Sequence, residues 1–377
     1  MTIRGNWILV AVLTVLLPFA SSCSGSSGSG DSRGGVPNYT PTSTNDGWQI
    51  ATPAGQGVDE AVLDTAYREA RNLPNLFSLL VVKNGYLVAE RYFNGARINQ
   101  PFDTASVTKS FTSALAGIAL RDSLLTSVDQ KMFEFFPEID WQQLDGRKSL
   151  ITIRQMLQMR SGYPWEEFDG YLDRLLSTSE RIDLAAEFPL VADPGSKFGY
   201  SNLTAHLVGV IVARAANESL LAFGERSLFD PLGISVASWA QDADGYYAGS
   251  GATMFTARDM ARFGQLYLDG GEYGGMQIVP ADWVRDSFES YSATTYNGDI
   301  LNAIRQLEYG YLWWSGVAGP HHFNFAWGHG GQLICVIPGL DMVIVTTATS
   351  LGGQFGPDAW RQESQVLELA GRLIASL

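Results

Sequence analysis

Strand patterns lie at the two ends of this 377-residue chain, and helical patterns fill the middle. Near the N-terminus, apolar segments flank Asn84-Gly85, a dipeptide typical of β-hairpin turns because both residues tolerate positive φ. These and the later apolar runs predict strands within 77–92 and at 309–314, 333–337 and 342–348. The order predicts one sheet assembled from both termini, with an all-helical region inserted over about 104–270.

Helices are predicted where apolar residues recur at a spacing of three to four. The segments are 58–71, 106–120, 152–159, 203–216, 256–268 and 358–377. Thr152 is expected to be an N-cap, because its hydroxyl can accept a hydrogen bond from the first turn of the helix.

The N-terminal segment indicates export followed by a tether. An apolar run over 7–20 is too short for a membrane-spanning helix of about 20 residues but fits a signal peptide, predicted at 1–22. Small residues directly before Cys23 resemble a bacterial lipobox, so Cys23 is predicted to be lipidated, with cleavage and no modification as the alternative. Residues 23–47 would then be a flexible Ser/Gly-rich tether, and 48–377 the folded domain. We expect a protein of the cell envelope, on the periplasmic or extracellular face, held to the membrane by its lipid anchor.

Composition excludes several classes of function. The 25 Lys and Arg residues against 39 Asp and Glu give a net charge of -14, which repels phosphate backbones, so we expect no nucleic-acid partner. The two cysteines and four histidines lack the spacing of a zinc site, and a lipidated Cys23 leaves Cys335 without an intrachain disulfide partner. We therefore expect no metal and no cofactor.

The segment Ser106-Val-Thr-Lys109 opens a helix that is too apolar for the protein surface. Residues three apart share a helix face, so the hydroxyl and the amine can come within hydrogen-bonding reach. Burial would favour the neutral amine, which can take a proton from serine and activate a nucleophile without histidine. The alternative is that Ser106 is an N-cap and Lys109 a solvated lysine of the first turn. The chain has five lysines, and the apolar helix favours the Ser-Lys pair.

Two other segments contain candidate site residues. Tyr200-Ser-Asn202 follows a Pro-Gly turn directly before a helix, so it offers a phenol for proton transfer and an amide to hold a substrate carbonyl or the lysine. Taken alone, it is little more than a helix-capping sequence. Trp327-Gly-His-Gly-Gly-Gln332 precedes a predicted strand, and its glycines permit a ligand to approach backbone N–H groups. Taken alone, it is better interpreted as a tight turn with a structural histidine.

In this order, the Ser-x-x-Lys, Tyr-x-Asn and His-Gly-Gly segments resemble the motifs of the penicillin-recognising serine hydrolases. The similarity is to the branch that contains class C β-lactamases, carboxylesterases and 6-aminohexanoate-dimer hydrolases. It covers about 48–377 and includes the segments 193–202, 252–265 and 277–280. The resemblance implies an α+β fold like that of β-lactamases and D,D-peptidases, with an antiparallel sheet flanked by helices.

The resemblance also implies a role for each matching residue. Ser106 would be the acylated nucleophile, Lys109 its proton partner, and Tyr200 the group that moves protons to the leaving group and from the deacylating water. The backbone N–H groups of Ser106 and Gln332 would form the oxyanion hole. The substrate would be contacted by Asn202, His329, Gly330 and Gly331.

His329 departs from the pattern, because β-lactamases and D,D-peptidases usually carry lysine there. A histidine with an unperturbed pKa of about 6.5 is mostly neutral at pH 7, so we expect no fixed positive charge for a substrate carboxylate. This favours an envelope-tethered hydrolase of esters or amides over a class C-type β-lactamase or D,D-carboxypeptidase. A non-catalytic ligand-binding lipoprotein of the same fold is the second alternative. The expected partner is a small-molecule ester, amide or lactam, and the oligomeric state stays open.

The remaining titratable candidates match no catalytic position. No motif around Glu166 supports a role in deacylation, and His206 and the pair His321-His322 are expected to be structural or on the surface. Substrate choice is expected to depend on the loops 163–179 and 291–307, whose aromatic content favours an apolar or aromatic acyl group.

Overall fold

The computed structural model describes residues 35–294, 301–351 and 354–377. The predicted signal peptide, Cys23 and most of the Ser/Gly-rich segment lie outside the described residues. The strands are β1 Gln49–Ile50, β2 Leu76–Lys83, β3 Tyr86–Tyr92, β4 Phe102–Asp103, β5 Ser238–Trp239, β6 Thr253–Phe255, β7 Glu272–Tyr273, β8 Met276–Gln277, β9 Ser292–Ala293, β10 Arg305–Tyr309, β11 Trp314–Ala318, β12 His321–Gly328, β13 Gln332–Ile337 and β14 Met342–Ala348. The helices are α1 Glu60–Ala70, α2 Thr108–Arg121, α3 Ile153–Leu157, α4 Glu166–Asp169, α5 Leu172–Ser177, α6 Asp183–Glu187, α7 Asn202–Ala216, α8 Leu220–Gly224, α9 Asp230–Leu232, α10 Ala257–Leu268, α11 Ala281–Phe288 and α12 Pro357–Ser376.

A nine-stranded sheet joins the two ends of the chain, in the order β1-β3-β2-β14-β13-β12-β11-β10-β9. The first and last parts of the chain meet where β2 pairs antiparallel with β14, with Val82 opposite Val343. The neighbouring strands are antiparallel except for β1, which runs parallel to β3. All seven residues of β14 are buried, as expected for a strand covered on both faces. The predicted α+β fold, with one sheet built from both termini, is confirmed.

The hairpin is confirmed, because Asn84 and Gly85 have φ of 52° and 77° between β2 and β3. Thr152 caps α3 as expected, through a capping box with Gln155. The predicted strand at 309–314 is wrong. Tyr309 ends β10 and Trp314 begins β11, and residues 310–313 connect the two strands, with the Gly310 N–H donating to the Trp313 carbonyl. The aromatic residues there pack inward from a loop and so imitate a buried strand.

The inserted region is not all-helical, which corrects the prediction. A three-stranded sheet of order β4-β6-β5 crosses it, with Phe102 paired to Phe255. Strands of two or three residues are too short to produce a recognisable alternation. Among the described residues, no single helix is long and apolar enough to cross a membrane, and one pair, 202–216 with 220–232, bent by 77°, meets that test only jointly.

The folded body begins near residue 36, earlier than the predicted boundary at residue 48. The ring of Tyr39 stacks on that of Tyr67, with centroids 4.5 Å apart. The guanidinium of Arg258 donates to the Thr42 carbonyl and to the carboxylate of Asp46. These contacts order the second half of the predicted tether. Its polar composition gave no sign of the aromatic contact of Tyr39 or of the ion pair of Asp46.

Candidate active site

Ser106 lies in a tight 3₁₀ turn, Ala105–Val107, that leads directly into α2. Ala105 has φ of 46°, a left-handed conformation that costs free energy for a residue with a Cβ. The side chains of Thr104 and Thr108 both bond the hydroxyl of Thr253 on β6, at 2.6 and 2.7 Å. These buried hydrogen bonds fix the turn, and so the backbone N–H and the hydroxyl of Ser106.

Lys109 follows one turn later on α2, a helix of which twelve of fourteen residues are buried. The Lys109 side chain is almost fully buried, and its Nζ lies 2.8 Å from each of three oxygens. These are Oγ of Ser106, Oδ1 of Asn202 and the carbonyl of Ser250. An ammonium donates to all three, whereas a neutral amine has two protons and one lone pair. An amide oxygen and a carbonyl can only accept, so the lone pair of neutral Lys109 can accept only from the hydroxyl of Ser106.

Burial lowers the pKa of Lys109 from 10.5 to about 7, while the negative charges of Glu167 and Glu166 counteract part of that fall. The Nζ also lies 4.8 Å from the centroid of the Tyr200 ring, a contact that favours the charged form. Both protonation states are therefore accessible near neutral pH, which suits a group that accepts a proton and later returns it.

The amide of Asn202 connects Lys109 to Glu167. Its Oδ1 accepts from Lys109 and its Nδ2 donates to Oε1 of Glu167, both at 2.8 Å. A carboxylate cannot donate, so Glu167 fixes which end of the amide faces the lysine. Of the two roles predicted for this amide, holding a substrate carbonyl or holding the lysine, the structure shows the contact with the lysine. The other oxygen of Glu167 is buried and has no hydrogen-bond partner within the described part of the chain.

Glu166 has a structural place beside this chain of contacts. Its carboxylate accepts from the N–H groups of Asn202 and Leu203 and from the hydroxyl of Ser201, so it caps α7 together with Ser201. Burial and the neighbouring Glu167 raise its pKa to about 7. Glu166 is not among the residues that line the cavity at Ser106.

The third motif is anchored by Glu363 on α12, a residue that sequence reasoning missed. Its carboxylate accepts from the Trp327 indole at 2.6 Å, from Nδ1 of His329 at 2.6 Å and from the Gly330 N–H at 3.1 Å. Nε2 of His329 contacts the Gln354 carbonyl at 2.8 Å. Both ring nitrogens thus face acceptors, an arrangement that only the doubly protonated imidazolium satisfies.

The charge expected for His329 is corrected accordingly. Burial is the largest effect and lowers its pKa, but the hydrogen bond and charge of Glu363 and the Gln354 carbonyl outweigh it and raise the pKa above 6.5. The resulting positive charge is paired with Glu363, and neither ring nitrogen is left for a substrate. The ring itself stacks on Phe355, with centroids 4.8 Å apart.

Gly330 and Gly331 form the turn between β12 and β13, with φ of 94° and 103°. A Cβ on Gly330 would lie 1.9 Å from the Thr349 carbonyl, and one on Gly331 would strike Val366 of α12. In the structure both glycines allow the turn to fit against the protein, and their contact with substrate stays a prediction. The turn leads into β13, which begins at Gln332 and contacts the 3₁₀ turn that contains Ser106, while the role of the Gln332 N–H in an oxyanion hole stays a prediction.

A cavity of about 530 Å³ opens beside Ser106. It is lined by Ser106, Trp165, Glu167, Phe168, Tyr200, Trp314, Trp327, His329, Phe355, Gly356, Pro357, Trp360 and Glu363. Three of the predicted site residues are thus in its wall: Ser106, Tyr200 and His329. The loop 163–179 contributes as expected, whereas the contribution of 355–363 was missed because it comes from the last helix and the chain before it.

The other titratable residues lie apart from this cavity. His206 is buried on α7, with Nε2 located 2.9 Å from Oδ2 of Asp242, and burial lowers its pKa. His321 and His322 begin β12, and Cys335 is buried on β13. Within the described ranges, no group of three or more His, Cys, Asp or Glu side chains is placed to hold a metal.

A serine in a strained turn, a buried lysine within hydrogen-bonding distance and an aromatic cavity beside them form the arrangement that serine hydrolases with a Ser-Lys pair use. A family model described as Beta-lactamase matches residues 65–368, and the chain belongs to this family. The 6-aminohexanoate-dimer hydrolase of Paenarthrobacter ureafaciens is 29% identical, with 71% of each chain covered.

Two further comparisons show how far the similarity extends. Beta-lactamase-like protein 2 of Dictyostelium discoideum is 29% identical over 38% of this chain, and the match spans only 27% of that longer protein. Among solved structures, EstCE1, a hydrolase with promiscuous acyltransferase activity, superposes with a TM-score of 0.64 at 16% identity, covering 84% of this chain and 98% of that one. At this identity the structural likeness shows the fold alone.

Proposed function

We propose that this protein hydrolyses an ester or amide bond through an acyl-enzyme on Ser106, in the manner of a carboxylesterase or a 6-aminohexanoate-dimer hydrolase. The observation that carries the proposal is the 2.8 Å contact between Oγ of Ser106 and Nζ of a buried Lys109 whose pKa is about 7. The relative covered over 71% of its length is named 6-aminohexanoate-dimer hydrolase, which supports a hydrolytic function.

In the acylation step, the oxygen of Ser106 attacks the substrate carbonyl carbon while its proton passes to neutral Lys109. The N–H groups of Ser106 and Gln332 stabilise the oxyanion, an effect worth roughly 3 kcal/mol per donor in comparable enzymes. The tetrahedral intermediate then expels the alcohol or amine, which takes a proton through Tyr200, a residue of the cavity wall. Water attacks the acyl-enzyme by the same route in reverse, releasing the acid and restoring Ser106 and Lys109.

A class C-type β-lactamase or D,D-carboxypeptidase acts on substrates that carry a carboxylate. Among the described residues, the cavity wall contains no lysine or arginine, and the charge of His329 is neutralised by Glu363. These observations favour substrates without a carboxylate. The hydrogen bonds of Lys109 with Ser106 and Asn202 also count against a non-catalytic binding protein. Such a protein has no need to keep these catalytic-type contacts.

Covalent labelling tests the proposal directly. A fluorophosphonate should add one equivalent to the intact protein, and the Ser106→Ala variant should stay unlabelled. Ser110→Ala is the matched control, since Ser110 lies on the same helix with its hydroxyl bonded to the Leu312 carbonyl, and it should label like wild type. An adduct that persists in Ser106→Ala, or none on wild type, would contradict the proposal. Hydrolysis rates for p-nitrophenyl esters, linear amides and a chromogenic cephalosporin would then rank the substrate classes.

The location of the protein is a separate proposal, supported by the sequence of its N-terminus. We propose that the chain is exported and tethered to the cell envelope by a lipid on Cys23, which lies outside the described residues. Metabolic labelling with an alkyne fatty acid should mark the wild-type protein and leave Cys23→Ser unmarked. Equal labelling of the two, or none, would contradict lipidation.

A further inference from the structure

The cavity beside Ser106 has an aromatic wall. Seven of its lining side chains are aromatic: Trp165, Phe168, Tyr200, Trp314, Trp327, Phe355 and Trp360. They come from three separate parts of the chain: the segment before α7, the sheet, and α12 with the residues just before it. Aromatic side chains brought together from such distant positions supply a large apolar contact area with a preference for stacked or edge-on rings.

Two of these rings are exposed to solvent, although exposure of a large apolar side chain is unfavourable. Phe168 is 67% exposed and Phe355 is 45% exposed. Phe168 meets the ring of Trp165 edge-on at 4.7 Å, and Phe355 stacks on His329 at 4.8 Å. Each exposed ring is therefore oriented by a neighbour in the cavity wall. A ligand that covers them would remove apolar surface from water.

The charges in the wall act against an anionic ligand. Among the residues that the structure describes, the ionisable ones in the wall other than Tyr200 are Glu167, Glu363 and His329, and the last two neutralise each other. Lys109 is 1% exposed, and its ammonium donates one hydrogen bond each to Ser106, Asn202 and Ser250. A substrate carboxylate in this cavity would lose its water without gaining a cation, and it would face Glu167.

We infer that the substrate presents an uncharged aromatic group to this cavity and carries no carboxylate there. The inference rests on the proposed function, because it assumes that Ser106 attacks a bond held in the cavity. It adds the chemical class of the group beside that bond. Phe168 and Phe355 are the residues expected to determine the preference for a ring.

Two series of simple esters test the inference, with acid release followed by pH-stat titration at pH 8. The first varies the acyl side: ethyl esters of phenylacetic, cyclohexylacetic and 4-carboxyphenylacetic acid. The second varies the alcohol side: acetates of benzyl alcohol, cyclohexylmethanol and 4-carboxybenzyl alcohol. In at least one series, kcat/KM should be three-fold or more higher for phenyl than for cyclohexyl, and ten-fold or more lower for the carboxylated ring than for phenyl. Equal rates for the three members of both series would overturn the inference.

Variants locate the preference in the exposed rings. Phe168→Leu and Phe355→Leu keep an apolar side chain but remove the ring, so the phenyl-to-cyclohexyl ratio should fall towards one. Met276→Leu is the control, because Met276 is an exposed apolar residue of β8 outside the cavity wall, and the ratio should stay as in wild type. An unchanged ratio in both phenylalanine variants would contradict the assignment. If no ester is hydrolysed and Ser106 takes no fluorophosphonate, the proposed function fails, whereas hydrolysis without preference overturns the substrate class alone.

Discussion

The carboxylate of Glu167 should set the pH at which Lys109 becomes a base, and Glu167→Gln is the variant that tests this. Glutamine keeps an oxygen that can accept from Nδ2 of Asn202, so the contact that holds the amide is retained and the negative charge is removed. The pKa of Lys109 is about 7 because burial lowers it and Glu167, followed by Glu166, raises it. Without the charge of Glu167, the pKa of Lys109 should fall further.

The size of the effect follows from the geometry. Two 2.8 Å hydrogen bonds with one amide between them put the ammonium and the carboxylate roughly 6 Å apart. At an effective dielectric constant of about 20, two unit charges at that distance interact by roughly 3 kcal/mol, or about two pKa units. Arg181 lowers the pKa of Lys109 in the wild type and in the variant alike. The pKa of Glu166, which Glu167 raises in part, should also fall in the variant, so that Glu166 is more often charged and offsets part of the change at Lys109. An observed shift of one to two units is therefore expected.

The assay is the pH dependence of kcat/KM for a neutral ester, measured between pH 5 and pH 9. Wild-type activity should rise through about pH 7 as Lys109 loses its proton, and in Glu167→Gln the acidic limb should move to lower pH. Asp173→Asn is the control, because it removes an exposed carboxylate from α5 and should leave the limb in place. A limb that stays at the wild-type position in Glu167→Gln, or moves to higher pH, would refute the reasoning. If Glu167→Gln loses activity by the same factor at every pH, its normalised profile of kcat/KM against pH keeps its position, so a general loss of activity cannot be mistaken for the predicted shift.

Three further predictions concern stability. The raised pKa of His329 means that its contact with Glu363 stabilises the fold below about pH 6.5 and loses effect as the pH rises through the raised value. His329→Asn should therefore lower the free energy of unfolding in urea by about 1.5–3 kcal/mol at pH 6 and by clearly less at pH 8.5, and an equal loss at both would contradict the assignment. Arg258→Ala leaves a buried carboxylate unpaired and should cost about 3–5 kcal/mol, with residues 40–46 becoming sensitive to protease; unchanged cleavage would count against their docking. Gly330→Ala places a Cβ 1.9 Å from a carbonyl oxygen at φ of 94°, so both stability and kcat/KM should fall, whereas Gly339→Ala, which meets open space, should stay within about 0.5 kcal/mol of wild type.

Local patterns in the sequence predicted those parts of the structure that depend on neighbours in the chain. The hairpin turn at Asn84-Gly85 and the N-cap at Thr152 need only a few adjacent residues, and both are confirmed. The spacing of Ser106 and Lys109 likewise placed their side chains on one helical face, at 2.8 Å in the structure. The family resemblance ordered the three motifs but could not supply their partners.

The partners were missed because they lie far away in sequence. Glu363 meets His329 across 34 residues and Glu167 meets Asn202 across 35, and neither carboxylate belongs to a motif. The prediction that His329 is mostly neutral was wrong for the same reason, because an unperturbed pKa of about 6.5 does not include the effect of the buried carboxylate of Glu363. The ordered segment 36–47 was missed because its anchors lie elsewhere in the sequence: Tyr67 stacks on Tyr39, and Arg258 is more than 200 residues from Thr42 and Asp46.

The hydrogen bonds at Lys109 restrict the proton to a single route. When Lys109 is charged, it donates to three oxygens, and Ser106 is an acceptor. When Lys109 is neutral, the Ser250 carbonyl still accepts, and Asn202 must also still accept because Glu167 holds its amide nitrogen. Ser106 is thus the one partner of the three that can change from acceptor to donor. In the proposed reaction Glu167 therefore acts twice, by keeping Asn202 in one orientation and by holding the pKa of Lys109 near the pH at which that change takes place.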